Sequence, residues 1–118
     1  MQPVWVYHGH SFPFDFDDYE CAVRYKNAVI ALSREKVPDR MTDPAGFIKA
    51  YCNAIGAFFD SIFGEGTAEF LFGDNNSKRL CDETYEAFLC FVSAQVRESN
   101  KRLAEISEKY APKDRDIT

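Results

Sequence analysis

Two histidines flank a glycine in His8-Gly9-His10, and three carboxylates follow at Asp15, Asp17 and Asp18. Imidazole and carboxylate are donors that first-row divalent cations take, so this is the only cluster in the sequence rich in potential metal ligands. On an extended strand His8 and His10 would share a face, but Gly9 favours a bend, and no third histidine lies downstream. A polar hairpin turn followed by a helix cap accounts for the same residues. A metal-dependent enzyme or regulator working through His8 and His10 is therefore the third of three functional readings, to be tested by elemental analysis of gently purified protein.

A second stretch, Gly64-Glu65-Gly66-Thr67 with Gly73 beyond it, has the composition of a phosphate loop. It lacks the Walker spacing and the closing Gly-Lys-Ser/Thr, and Glu65 would repel a phosphate. It reads instead as a corner, with Gly64 ending one helix in a left-handed turn and Gly66-Thr67 opening another. Nucleophilic chemistry requires a base beside the nucleophile. Cys21, Cys52, Cys81 and Cys90 form no Cys-x-x-Cys pair and lie among apolar residues, distant in sequence from both histidines, as buried thiols do. The carboxylate pairs Asp82-Glu83 and Glu105 with Glu108 fall where solvated helix faces are expected. No residue set qualifies as catalytic, cofactor-binding or metal-binding, so the sequence predicts a non-enzyme that needs no cofactor.

Composition narrows the partners. The formal net charge is −5, with 14 Lys and Arg against 19 Asp and Glu, which argues against the concentrated basic surface that tracks nucleic-acid phosphates. The apolar runs are only a few residues long, far short of the roughly 20 that cross a bilayer, and no basic-then-apolar leader opens the chain. No membrane partner and a cytoplasmic location are the resulting expectations. With 46% hydrophobic and 15% aromatic residues, 118 residues can bury one core without metals or disulfides.

The elements that hold these residues follow from local patterning. Val4, Trp5, Val6 and Tyr7 favour extended structure, Gly9 reverses the chain, and Phe12, Phe14 and Phe16 alternate with Pro13 and Asp15, giving a hairpin within 2–15. Asp17 followed by Glu20 suits the start of a helix over about 18–36, whose inward face is Tyr19, Ala22, Tyr25, Val29 and Leu32 and which stops before Pro38. Thr42-Asp43-Pro44 opens the central helix, with Phe47, Ile48, Tyr51, Cys52, Ile55, Phe58, Phe59 and Ile62 as its apolar stripe; Gly56 inside it marks close packing. A short helix fits Thr67 to Phe72.

The stretch of about 78–110 has neither proline nor glycine and reads as one helix of roughly 45–50 Å. Cys81, Tyr85, Phe88, Val92, Val96, Ser99, Leu103 and Ile106 recur along it at four- and three-residue steps, as at a helix-packing seam. Few apolar residues remain elsewhere to cover Leu103 and Ile106, so a partner helix, self-association or fraying must account for them. The fold expected is mainly α with a small N-terminal β-hairpin: a bundle of three main helices plus one short helix, a single domain over 1–111 and a flexible charged tail at 112–118.

The chain resembles a family of small phage- and prophage-encoded proteins of unknown function from Gram-positive bacteria. The resemblance rests on Phe12-Pro13-Phe14-Asp15-Phe16-Asp17, on Tyr51 to Ile55, and on Phe58 to Thr67 with Leu71-Phe72-Gly73-Asp74 following, and it extends over Cys81 to Val96. Its specific part is FFDSIFGEGTAEFLFG; the aromatic start Trp5-Val6-Tyr7-His8 is longer here and the cysteines more numerous. The resemblance implies a component of a phage structural module, similar to small tail-assembly chaperones, and supplies no catalytic residue.

The leading expectation is thus a phage or prophage assembly protein, tail-assembly-chaperone-like, that binds a protein partner such as a phage tail protein. The second is a structural homo-oligomer or minor phage particle component. Trp5, Tyr7, Phe12 and Phe14 on the hairpin, with Leu103 and Ile106 on the last helix, are the candidate partner-binding residues; ordinary core packing is the competing explanation for each.

Overall fold

The computed structural model describes residues 2–111; the expected tail at 112–118 lies outside them. Strands β1 (Val4–Tyr7) and β2 (His10–Pro13) form an antiparallel ladder that sets Trp5 opposite Phe12 and Tyr7 opposite His10. His8 and Gly9 connect them with φ of 49° and 80°. A two-residue loop with positive φ at both positions follows the twist of the strands, which is why glycine stands there. The ladder is shorter than the 2–15 expected, because the chain turns inward after Pro13 and buries Phe14 completely.

Helix α1 (Tyr19–Ser33) is capped by Asp18, whose Oδ2 accepts from Cys21 N at 3.1 Å. Asp17, expected near the cap, points elsewhere. The buried face is built on Cys21 and Ala28, with Tyr25, Val29 and Leu32 packed against the core, while Tyr19 is exposed. The helix stops short of residue 36, where the side chains that follow it find no core to cover.

Helix α2 (Pro44–Phe63) begins as its sequence requires: Asp43 Oδ1 accepts from Gly46 N at 3.0 Å, and Pro44 occupies the first turn. Cys52, Ile55, Phe58, Phe59 and Ile62 are buried, making α2 the central core helix. Gly64 ends it with φ 112° and ψ 159°, an extended glycine conformation rather than the left-handed turn expected.

Helix α3 (Thr67–Phe72) doubles back on α2, and a Cβ on Gly56 would lie 3.1 Å from Ala68 Cβ. Asp60 Oδ1 accepts from Ala68 N at 2.8 Å, so α2 supplies the α3 cap that Gly66 cannot. Helix α4 (Lys78–Lys109) is one uninterrupted helix of 32 residues, started by Ser77 Oγ accepting from Leu80 N at 3.2 Å.

Phe88 is the hub of the core. Its ring is fully buried and meets Trp5 edge-on at 5.2 Å, Phe14 at 5.4 Å, Phe63 at 5.5 Å and Phe59 at 5.7 Å. Edge-to-face geometry of this kind suits the aromatic quadrupole and adds about 0.5–1.5 kcal/mol per pair beyond area burial. The result is mainly α with an N-terminal hairpin, three long helices and one short, measuring 67 × 30 × 22 Å. The long dimension reflects α4, which outreaches the core.

Candidate interaction surface

The side chains along one face of α4 change character part-way. Cys81, Phe88 and Val92 are buried; Val96 is at the boundary, and Leu103, Ile106 and Tyr110 are 63%, 55% and 70% exposed. At 100° per residue these positions lie on one side of the helix, so the exposed stripe is the continuation of the core-facing side beyond the end of the core. This is the seam expected from the four- and three-residue steps, filled for its first half and open for its second.

The transition is fixed by a row of polar side chains on α4. Gln95 Nε2 donates to Phe14 O at 2.7 Å, and its Oε1 accepts from Phe16 N at 2.6 Å. Ser99 Oγ donates to Asp17 Oδ1 at 3.0 Å, and Arg102 Nη2 lies 2.9 Å from Asp17 Oδ2. This is where Asp17 points, and the latch holds the segment after the hairpin on α4 as far as Arg102. An apolar groove of about 420 Å³ opens beside it, floored by Pro3, Val4, Phe91 and Ala94 and edged by Asp15, Glu98 and Arg102.

The candidate hairpin residues lie away from this surface. Trp5 and Phe14 belong to the core, at 4% and 0% exposure. Trp5 stacks on Phe59 with ring centroids 5.8 Å apart. Tyr7 and Phe12 share that inward face and are half-buried, Tyr7 sharing a hydrogen bond with Thr84 Oγ1 at 2.9 Å. The register accounts for this: Trp5, Tyr7 and Phe12 project from the face of the ribbon that lies on the helices, leaving Val4 and Val6 on the other, 41% and 65% exposed. The structure therefore does not bring the hairpin aromatics together with Leu103 and Ile106.

The groups first considered for chemistry have other partners. The His8 ring stacks on Tyr7 at 4.1 Å, and the His10 ring meets Phe70 edge-on at 4.2 Å. Among the described residues no three His, Cys, Asp or Glu side chains come together as a metal site. In the glycine corner, Thr67 Oγ1 donates to Gly64 O at 2.7 Å, tying the loop to itself.

Three thiols are buried, but Cys90 is exposed, contrary to the expectation for all four. Burial and the neighbouring Cys52 push the Cys81 thiol up to about 12, which keeps it protonated and unreactive.

Asp82, expected on a solvated face, keeps its side chain 44% exposed and in addition bridges α4 to α2. It accepts a hydrogen bond from Tyr51 Oη and pairs with Lys78 Nζ at 2.7 Å, while that ammonium lies 4.7 Å from the centre of the Tyr51 ring. Partial burial raises the Asp82 pKa, but the bonds from Lys78 and Tyr51 and the charges of Lys78 and Arg40 outweigh it and hold the carboxyl below its usual value. The Tyr51 phenol is pushed up by burial and by Asp82. A polar cluster of this kind ties α2 to α4, and sequence spacing offered no sign of a pairing 31 residues apart.

A family model matches residues 8–116. The chain belongs to DUF6673, a family of unknown function. The match begins at the hairpin turn and takes in β2, all four helices, the latch and the exposed stripe, and leaves out β1 with Pro3 and Val4 of the groove floor. No curated protein and no solved structure matches the chain. Among the described residues no helix is long and apolar enough to cross a membrane.

Proposed function

We propose that this chain is a non-catalytic phage or prophage assembly protein, tail-assembly-chaperone-like, that acts in the host cytoplasm by protein–protein binding. The observation that carries the reading is the apolar stripe of Leu103, Ile106 and Tyr110, which continues the core-facing side of α4 into solvent. Burying such a stripe under an apolar segment of a tail protein releases water at about 25 cal/mol per Å² of apolar surface. It would also keep that segment from polymerising too early. The resemblance carried by Phe58 to Gly73 points to the same class of protein.

The test is recovery of the full-length protein from cells producing phage. The wild type should co-purify with a tail component and the Leu103→Glu, Ile106→Glu double variant should lose it. Wild-type protein recovered only as a free monomer during productive assembly would overturn the reading.

A structural homo-oligomer, or a minor component of the particle, is the second reading. It is favoured by Val4 and Val6 on the outward face of a two-stranded ribbon whose strand edges are open to pairing. Presence of the chain in finished particles separates this from a chaperone, which leaves before completion.

A further inference from the structure

The groove beside the latch has a chemistry of its own. The hairpin and α4 each give it two apolar residues, Pro3 and Val4 against Phe91 and Ala94, around a volume of about 420 Å³. That is room for one or two side chains of an extended segment, within the size range of ligand clefts. Val4 is 41% exposed and Ala94 is exposed as well, so apolar surface in the groove faces water. At 100° per residue Phe91, Ala94, Glu98 and Arg102 lie about 100° round α4 from Leu103, Ile106 and Tyr110. The groove is therefore a surface separate from the stripe and can be filled whether or not the stripe is.

The rim carries negative charge to spare. Arg102 is the sole cation among the lining residues, and its guanidinium is held by Asp17 at 2.9 Å. Asp15, on the hairpin side, and Glu98, on the α4 side, have no cationic partner among the described residues. Glu98 stands four residues before Arg102, the spacing at which such pairs form along a helix, but Asp17 has drawn the guanidinium off. Lys101, three residues after Glu98, does not line the groove. Asp15 is also held in place: Gln95 bonds the backbone on either side of it, and its own Oδ1 accepts from Asp17 N at 2.9 Å.

An apolar cleft with two unpaired carboxylates on its rim is complementary to apolar side chains that stand next to cations. We infer that the groove is a second binding site, for an extended protein segment in which a large apolar residue lies beside lysine or arginine. The apolar side chain displaces water from Val4, Phe91 and Ala94, and the neighbouring cations meet Asp15 and Glu98. The net charge of −5 draws such a segment in from a longer range, and the same rim repels an acidic one.

The test uses fluorescence anisotropy of a short dye-labelled peptide in which leucines are flanked by lysines. It should bind the full-length wild type, and bind less tightly as salt rises, whereas a peptide with glutamates in place of the lysines should not bind. Asp15→Asn with Glu98→Gln should weaken binding about fivefold, the scale of two exposed ion pairs. Ala94→Arg, at an exposed helix position, should abolish it by filling the groove. Glu83→Gln with Glu86→Gln removes the same charge elsewhere on α4 and should leave binding unchanged within about twofold.

Equal weakening by the two neutralised pairs would mean attraction to net charge alone and would overturn the site. Binding that survives Ala94→Arg overturns it too, as does a wild type that binds no peptide. A wild-type dimer that Ala94→Arg dissociates would make a second copy the occupant, again overturning the inference. Leu103→Glu with Ile106→Glu should leave peptide binding intact, so loss of a tail component in that variant bears on the stripe and the function proposed from it, not on the groove.

Discussion

Gln95 holds the backbone on both sides of Asp15, donating to Phe14 O at 2.7 Å and accepting from Phe16 N at 2.6 Å. A carboxamide offers a donor and an acceptor in one plane, so the pairing fixes which way the amide faces. Gln95→Leu leaves a carbonyl and an amide without partners and should cost about 2 kcal/mol. Gln95→Glu keeps the acceptor alone and should fall between. Urea denaturation of the three proteins checks this, and equal midpoints for all would refute the clamp.

Phe88 should be the costliest aromatic to truncate. Its ring is fully buried and touches rings from the hairpin exit, α1, α2 and α4, so Phe88→Ala opens a cavity at the junction of all of them. A loss of about 3–5 kcal/mol is expected from equilibrium unfolding. A loss below about 1 kcal/mol would mean that the surrounding rings close the gap and that no single hub exists.

Alkaline pH should destabilise the fold. The Cys81 thiol titrates at about 12 in the folded chain against a reference value of 9.0, and the Tyr51 and Tyr85 phenols are also raised. A raised pKa means that the folded state keeps its proton where the unfolded state has lost it. This contribution is complete below pH 9.0 and disappears as pH rises through about 12. Thermal melts from pH 8 to 12 should fall in the wild type and fall less steeply in Cys81→Ala; parallel curves would contradict the assignment.

At the α2–α3 contact, a side chain on residue 56 would crowd Ala68. The Cβ position lies 3.1 Å from Ala68 Cβ, so Gly56→Leu should press α3 outward, at a cost of about 1–3 kcal/mol. Limited proteolysis should then cut near Gly64 to Gly73, while an uncut and equally stable variant would show that α3 yields freely.

Much of this architecture could be read from local patterns because local chemistry determines it. Asp43-Pro44 starts α2, Thr67–Phe72 fits between two glycines, and the proline- and glycine-free stretch from Lys78 becomes a single helix. What could not be read depends on residues far apart in the chain. Asp17 and Asp18 look alike as caps, and only the position of Arg102 and Ser99, more than 80 residues away, draws Asp17 off. Asp60 caps a helix other than its own, and Asp82 meets Tyr51 from another helix. The candidate surface was half legible: the lack of apolar cover for Leu103 and Ile106 followed from counting, whereas the direction of Trp5 and Phe14 depends on how the ribbon lies on the helices.

The latch at Ser99 and Arg102 also divides α4 dynamically. Amides on its N-terminal side are backed by Phe88 and Val92 and open only when the core does. Those beyond the latch belong to a stretch shorter than the roughly 12–15 residues at which a helix in water sustains itself, so their exchange with solvent deuterium should be faster by orders of magnitude. A helix that is continuous in its hydrogen bonding is thus two segments in its protection against exchange. Whatever covers the distal segment should slow that exchange, giving a residue-by-residue readout of occupancy without a label on either partner.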